Sequence, residues 1–166
     1  MSSASSSTVL AESPVAAGAF LPYLDRQLSV VHQPGRIRAH IRGERIFVPC
    51  GDHRPAVERL YRRLARPEIG ARLDEVVASA GLSYTRLSIR SQRTRWASCS
   101  SSGAMSFNWR LLLAPERVLD YVIWHEVCHL EVPNHSSRFW ALLERRLPGF
   151  REPHAWLRRH GASLVL

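Results

Sequence analysis

The chain has 166 residues, 45% of them apolar and 22% charged, the composition of one ordinary globular domain rather than a fibre or a low-complexity chain. No apolar run approaches the ~18 residues of a membrane span, and the short stretch Val15–Leu21, broken by Gly18 and preceded by no Lys or Arg, is unlike a secretory signal. The net charge is +9 with arginine as the sole strong base, so an anionic partner is expected (nucleic acid, an acidic peptide or a nucleotide), although a solvated arginine-rich surface gives the same count.

Residues 1–20 are small, Ser-rich and nearly uncharged, which predicts a disordered tail ahead of a single domain at 21–166. From Gln27 the runs LSVVH, RIRAHI and RIFVP alternate apolar and polar residues between Pro34-Gly35 and Arg42-Gly43-Glu44, the pattern of a three-stranded antiparallel meander. Two helices are predicted next. Pro55 to about Arg66 carries Val57, Leu60, Tyr61 and Leu64 on one face, and Pro67 to Ala80 carries Ile69, Leu73, Val76 and Val77. Arg59, Arg62, Arg63, Arg66 and Arg72 lie on the other face, a solvated surface or one that binds phosphate.

Three more short strands are expected in YTRLSIR, RTRWASCS and AMSFNW. A helix then runs from Pro115 to about Leu130, nearly apolar all round, before Pro133 stops it. Further helices are predicted at about Ser136–Leu147 and Pro153–His160. The three cysteines, Cys50, Cys99 and Cys128, are odd in number and include no CxxC pair, so reduced thiols in a cytoplasmic setting are expected.

The chemistry is concentrated in HEVCHLEVPNH, residues 125–135. His125 and His129 are four apart, so on a helix both imidazoles leave one face where a single ion can bridge them. Zinc takes neutral imidazole nitrogen, and catalytic sites use three protein ligands plus water. The turn at Pro133-Asn134 makes His135 the first choice for the third ligand, with Glu144, Glu152 and His154 as alternatives. Glu126, about 100° round the helix from His125, is placed to act on a water as general base rather than to ligate. HExxH arises by chance in roughly 2% of chains of this composition, and two histidines with a glutamate on a buried helix have no packing rationale. Val132 stands where metzincins have Gly, and no Met follows Met105 to form a Met-turn.

The segment RWASCSSSGAMSFNWRLLLAPERVLDYVIWHEVCHLEVPNHSSRFWALLERRLPGF, about residues 95–150, closely resembles the YgjP-like metallopeptidase domain, a family allied to the SprT-like and WLM metallopeptidases. The resemblance, extended over the weaker elements at 27–90, implies a zincin-like α+β fold: an N-terminal antiparallel meander, further short strands, and a buried HExxH helix followed by a C-terminal helix. It also implies His125, His129 and His135 as zinc ligands, one ion per chain, with Glu126 as the catalytic glutamate. Ala97 departs from the family's RWGSC segment, where Gly is common.

Peptide-bond hydrolysis is the leading expectation, with Arg95, Trp96, Asn108 and Arg110 as candidate substrate contacts and a strand of RTRWASC or AMSFNW as the edge that an extended peptide joins. The arginine excess keeps a metal-dependent hydrolase of a nucleotide or another small anionic substrate as an alternative. A DNA-associated SprT-like protease is the second alternative. Imidazole sites also accept manganese or nickel.

Overall fold

The computed structural model describes residues 19–92 and 94–166, so the expected tail lies outside the described residues up to position 18, and Phe20 already opens the first strand. Among the described residues the fold is α+β, with two small sheets and four α-helices. None of the described helices is long and apolar enough to cross a membrane.

The N-terminal sheet contains β1 (Phe20–Tyr23), β2 (Arg26–His32), β3 (His40–Arg42) and β4 (Arg45–Val48), in the order β1-β2-β4-β3. The expected meander is therefore corrected: β1 adds a strand, and β2 pairs with β4 in parallel while β3 pairs antiparallel with β4. Burial explains the order. Leu28 and Val30 on β2, and Ile46 and Val48 on β4, are at most 1% exposed, whereas β3 buries no residue. The two strands with a core face sit side by side, and β3 takes the edge. The loop between β2 and β3, with Pro34-Gly35, carries the chain past the place of β4.

The two predicted helices are one, α1 (Arg54–Ala80), with Pro67 inside it. Proline removes one backbone hydrogen bond and crowds the preceding turn. The apolar face is nevertheless continuous through Tyr61, Ala65, Ile69 and Leu73, each 0% exposed, and burial of that face outweighs the lost bond. Gly81, at φ 68°, ends the helix in the left-handed conformation, with the Leu82 N–H reaching the Val77 carbonyl at 2.8 Å.

The second sheet holds β5 (Arg86–Arg90), β6 (Ala97–Cys99) and β7 (Ala104–Asn108), with β7 central, parallel to β5 and antiparallel to β6. Gly103, at φ 78°, turns β6 into β7. A 3-10 turn, Trp109–Leu113, sends Trp109, Leu111 and Leu112 into the core. It leads to α2 (Glu116–Cys128), α3 (Ser137–Arg146) and α4 (Arg151–His160). The first amide of α2, from Glu116, donates to the Asp25 carboxylate at 3.0 Å, so the β1–β2 turn caps this helix.

Arg72, on the face expected to be solvated or to bind phosphate, instead clamps α1 to α2. Its guanidinium lies 2.9 Å from Glu116, 3.0 Å from Asp120 and 3.3 Å from Glu68. Removing it leaves three half-exposed carboxylates converging without a cation. Arg72→Met is expected to cost about 1–3 kcal/mol, discounted for partial solvent screening. A urea titration checks this through a lower midpoint at unchanged slope.

Candidate metal centre

α2 supplies two of the site's three imidazoles. Val122, Ile123, Val127 and Cys128 bury the helix against the core, which leaves His125 and His129 on the face turned toward α3 and the second sheet. His129 is the C-cap. Its Nδ1 lies 3.0 Å from the Val132 carbonyl, at a tight turn in which the Val132 N–H bonds back to Cys128 at 2.9 Å. That turn, followed by Pro133, returns the chain so that His135 faces the helix. The three Nε2 atoms form a near-equilateral triangle: His125 to His129 3.3 Å, His129 to His135 3.1 Å and His135 to His125 2.9 Å.

The triangle suits one ion. Three nitrogens bonded to a tetrahedral zinc at about 2.0–2.1 Å stand about 3.3 Å from one another. A carbonyl only accepts, so His129 carries its ring proton on Nδ1 and directs a bare Nε2 lone pair inward. Lone pairs gathered this closely repel unless a cation lies among them. Burial, joined by the neighbouring rings of His129, His135 and His154, lowers His125 to about 3, and burial likewise lowers His129. Both rings are thus neutral near pH 7, the form that ligates. Tyr121 places its hydroxyl 3.4 Å from His125 Nδ1, an outer partner for that ring.

α3 builds the platform. Phe139, fully buried, meets all three rings at centroid distances of 4.9, 4.5 and 4.9 Å, and Trp140 stacks on His135 at 5.6 Å. His154, from α4, stacks on Tyr121 at 5.5 Å and on Trp140 at 5.8 Å. These aromatic partners fix the ring planes by packing.

Glu126 is 6% exposed beside the triangle and accepts the backbone N–H of Cys99. Burial pushes its carboxyl up to about 7, against the Arg95 guanidinium and the Cys99 amide, which pull it down. The site opens on a cleft of about 530 Å³. Residues 94–99 form one wall and His154, Leu157 and Arg158 of α4 the other, with α2 as the floor.

The structure brings His125, Glu126, His129, His135, Arg95 and Trp96 together at this cleft. It does not bring Asn108 and Arg110 there. Asn108 is 3% exposed and pins the loop before β6, donating to the Gln92 and Arg95 carbonyls at 2.6 and 3.2 Å. Arg110 lies over the Trp109 ring, 4.6 Å from its centroid, and donates to Ser91. Of the alternative third ligands, Glu144 is exposed outside the histidine cluster, Glu152 pairs with Arg117 at 2.8 Å, and His154 lines the cleft without joining the triangle. Ala97 opens β6, an extended conformation that any L-residue adopts. Phe139, Trp140 and Tyr121 carried no signal in sequence beyond that of core aromatics.

The Trp96 indole packs closely against Gly161. A methyl added at Gly161 would stand 3.0 Å from the indole Cζ2 and 3.3 Å from Cε2, while the backbone there is ordinary helix. Gly161→Ala is therefore expected to displace the indole and to cost about 1–3 kcal/mol as overpacking. A shift in tryptophan emission together with a lower Tm checks this.

Three converging imidazoles, two of them from one helix and its C-cap, with a buried carboxylate in an open cleft are the donor set of metal-dependent hydrolases. The chain belongs to the YgjP-like family: the model described as YgjP-like, metallopeptidase domain, matches residues 4–160. No curated protein matches it. Among solved structures it is similar to the crystal structure of the metallopeptidase zymogen jannalysin of Methanocaldococcus jannaschii, at 20% identity and TM-score 0.49 over 55% of this chain and 94% of that one. It is also similar to the metallopeptidase zymogen abylysin of Pyrococcus abyssi, at 23% identity and TM-score 0.48 over 55% and 93%.

Proposed function

We propose that the chain is a zinc metallopeptidase with a zincin-like arrangement, in which His125, His129 and His135 hold one ion and Glu126 is the general base. The triangle of Nε2 atoms 2.9–3.3 Å apart beside a buried carboxylate carries this reading. When bound, zinc supplies Lewis acidity toward a carbonyl and makes a water acidic near neutral pH. Glu126 takes the proton of the attacking water and hands it to the leaving amine. Burial strengthens each of these interactions by excluding competing solvent.

The edge of β6 supports an extended peptide as substrate. The Trp96 carbonyl accepts from Asn108 at 2.8 Å and the Ser100 N–H donates to Ala104 at 2.9 Å, so residues 96, 98 and 100 direct their backbone toward β7. Ala97 and Cys99 face the other way, toward the cleft they line. The Cys99 N–H is taken by Glu126, and the Ala97 backbone is left to pair with a strand laid along the cleft. The free cysteines support a reducing, cytoplasmic setting.

Purified protein should contain about one zinc per chain and cut an unstructured polypeptide, with activity abolished by a chelator and restored by added zinc. Full zinc loading with no cleavage of any polypeptide, alongside hydrolysis of nucleotides, would refute the peptidase assignment.

A further inference from the structure

We propose that the cleft selects polypeptide segments bearing carboxylate side chains beside the scissile bond, with Arg95 on one wall and Arg158 on the other as the groups that read them. The inference rests on the peptidase reading and specifies its substrate class. Apart from the histidines, the charged residues lining the cleft are, among the described residues, Arg95, Arg158 and Glu126. Glu126 is buried on the floor and engaged by the Cys99 amide, so both walls present positive charge to an incoming chain.

Neither arginine is held in an ion pair within the described residues, although the Arg95 charge acts on Glu126. Arg72, Arg117 and Arg146 each face a carboxylate within 3.3 Å, whereas Arg95 and Arg158 make no ion pair and no side-chain hydrogen bond. Arg158 follows His154 at i+4, so its stem leaves the face of α4 that His154 presents to the cleft. Arg95 immediately precedes Trp96 and β6, the edge along which a peptide would lie, and Asn108 fixes its carbonyl at 3.2 Å. An extended peptide sends successive side chains to opposite sides. Carboxylates on it can therefore reach either wall, and a guanidinium accepts them in bidentate, charge-assisted bonds. The overall charge of +9 steers acidic chains toward the same opening.

The test uses two unstructured peptides that differ only in Glu or Gln on both sides of a central bond. Binding is measured by fluorescence anisotropy on the zinc-loaded Glu126→Gln form, and cleavage on the wild type. The Glu peptide is expected to bind about tenfold tighter, and Arg95→Gln and Arg158→Gln should each reduce that advantage to about threefold or less. Arg158→Lys should retain most of it. Arg63→Gln, which removes the same charge from exposed α1 away from the cleft, should leave it intact. Equal binding of the two peptides overturns the proposal, as does a preference that Arg63→Gln erodes as much as the cleft variants do. A nucleoside triphosphate held through Arg95 and Arg158 without Glu-over-Gln discrimination overturns it too. If the Glu preference holds but the wild type cuts neither peptide, the selectivity stands and the peptidase reading falls.

Discussion

Glu126→Gln is expected to lower kcat by about 10²–10⁴-fold while zinc content stays at the wild-type level. The substitution preserves shape and still accepts the Cys99 N–H through its amide oxygen. It removes the carboxylate beside the triangle that is assigned to take a proton from water. The side chain is not part of the histidine cluster, so ligation does not depend on it. Parallel metal analysis and steady-state kinetics separate the two effects. Unaltered turnover in this variant would end the assigned role of Glu126, and loss of zinc would mean that the carboxylate ligates instead.

His129→Ala should empty the site. His129 is one vertex of the triangle, 3.3 Å from His125 and 3.1 Å from His135, and it is locked by the Val132 carbonyl on one side and by Phe139 at 4.5 Å on another. Loss of an outer partner costs metal affinity about 10–100-fold, and loss of a ligand should exceed that range. Activity is expected to fall below detection at stoichiometric zinc. The fold should survive, because the core of α2 is made by Val118, Leu119, Ile123 and Val127 rather than by this half-buried ring. Full zinc occupancy in a folded His129→Ala protein would contradict the assigned ligand set.

The helix of the metal centre was legible because its message is local. A spacing of four places His125 and His129 on one face whatever surrounds the helix, and Pro133 fixes where the chain turns back. The order β1-β2-β4-β3 was not legible, since pairing of β2 with β4 depends on which strands bury Leu28, Val30, Ile46 and Val48, a property of the finished core. Pro67 suggested a break that the continuous apolar face of α1 overrides. The platform of Phe139 and Trp140, and the approach of Arg158 and His154 to the cleft, depend on how α3 and α4 return over α2. Asn108 reads as a polar residue at a strand end, and only the loop it pins reveals why it is buried.

X-ray absorption at the zinc edge of the purified, metal-loaded protein addresses the ligand set without recourse to activity. Three imidazole nitrogens and one oxygen donor, all at about 2.0–2.1 Å, are expected. A sulfur scatterer at about 2.3 Å, which would implicate Cys99 or Cys128, or a shell with fewer than three imidazoles would contradict the histidine triangle as the seat of the ion.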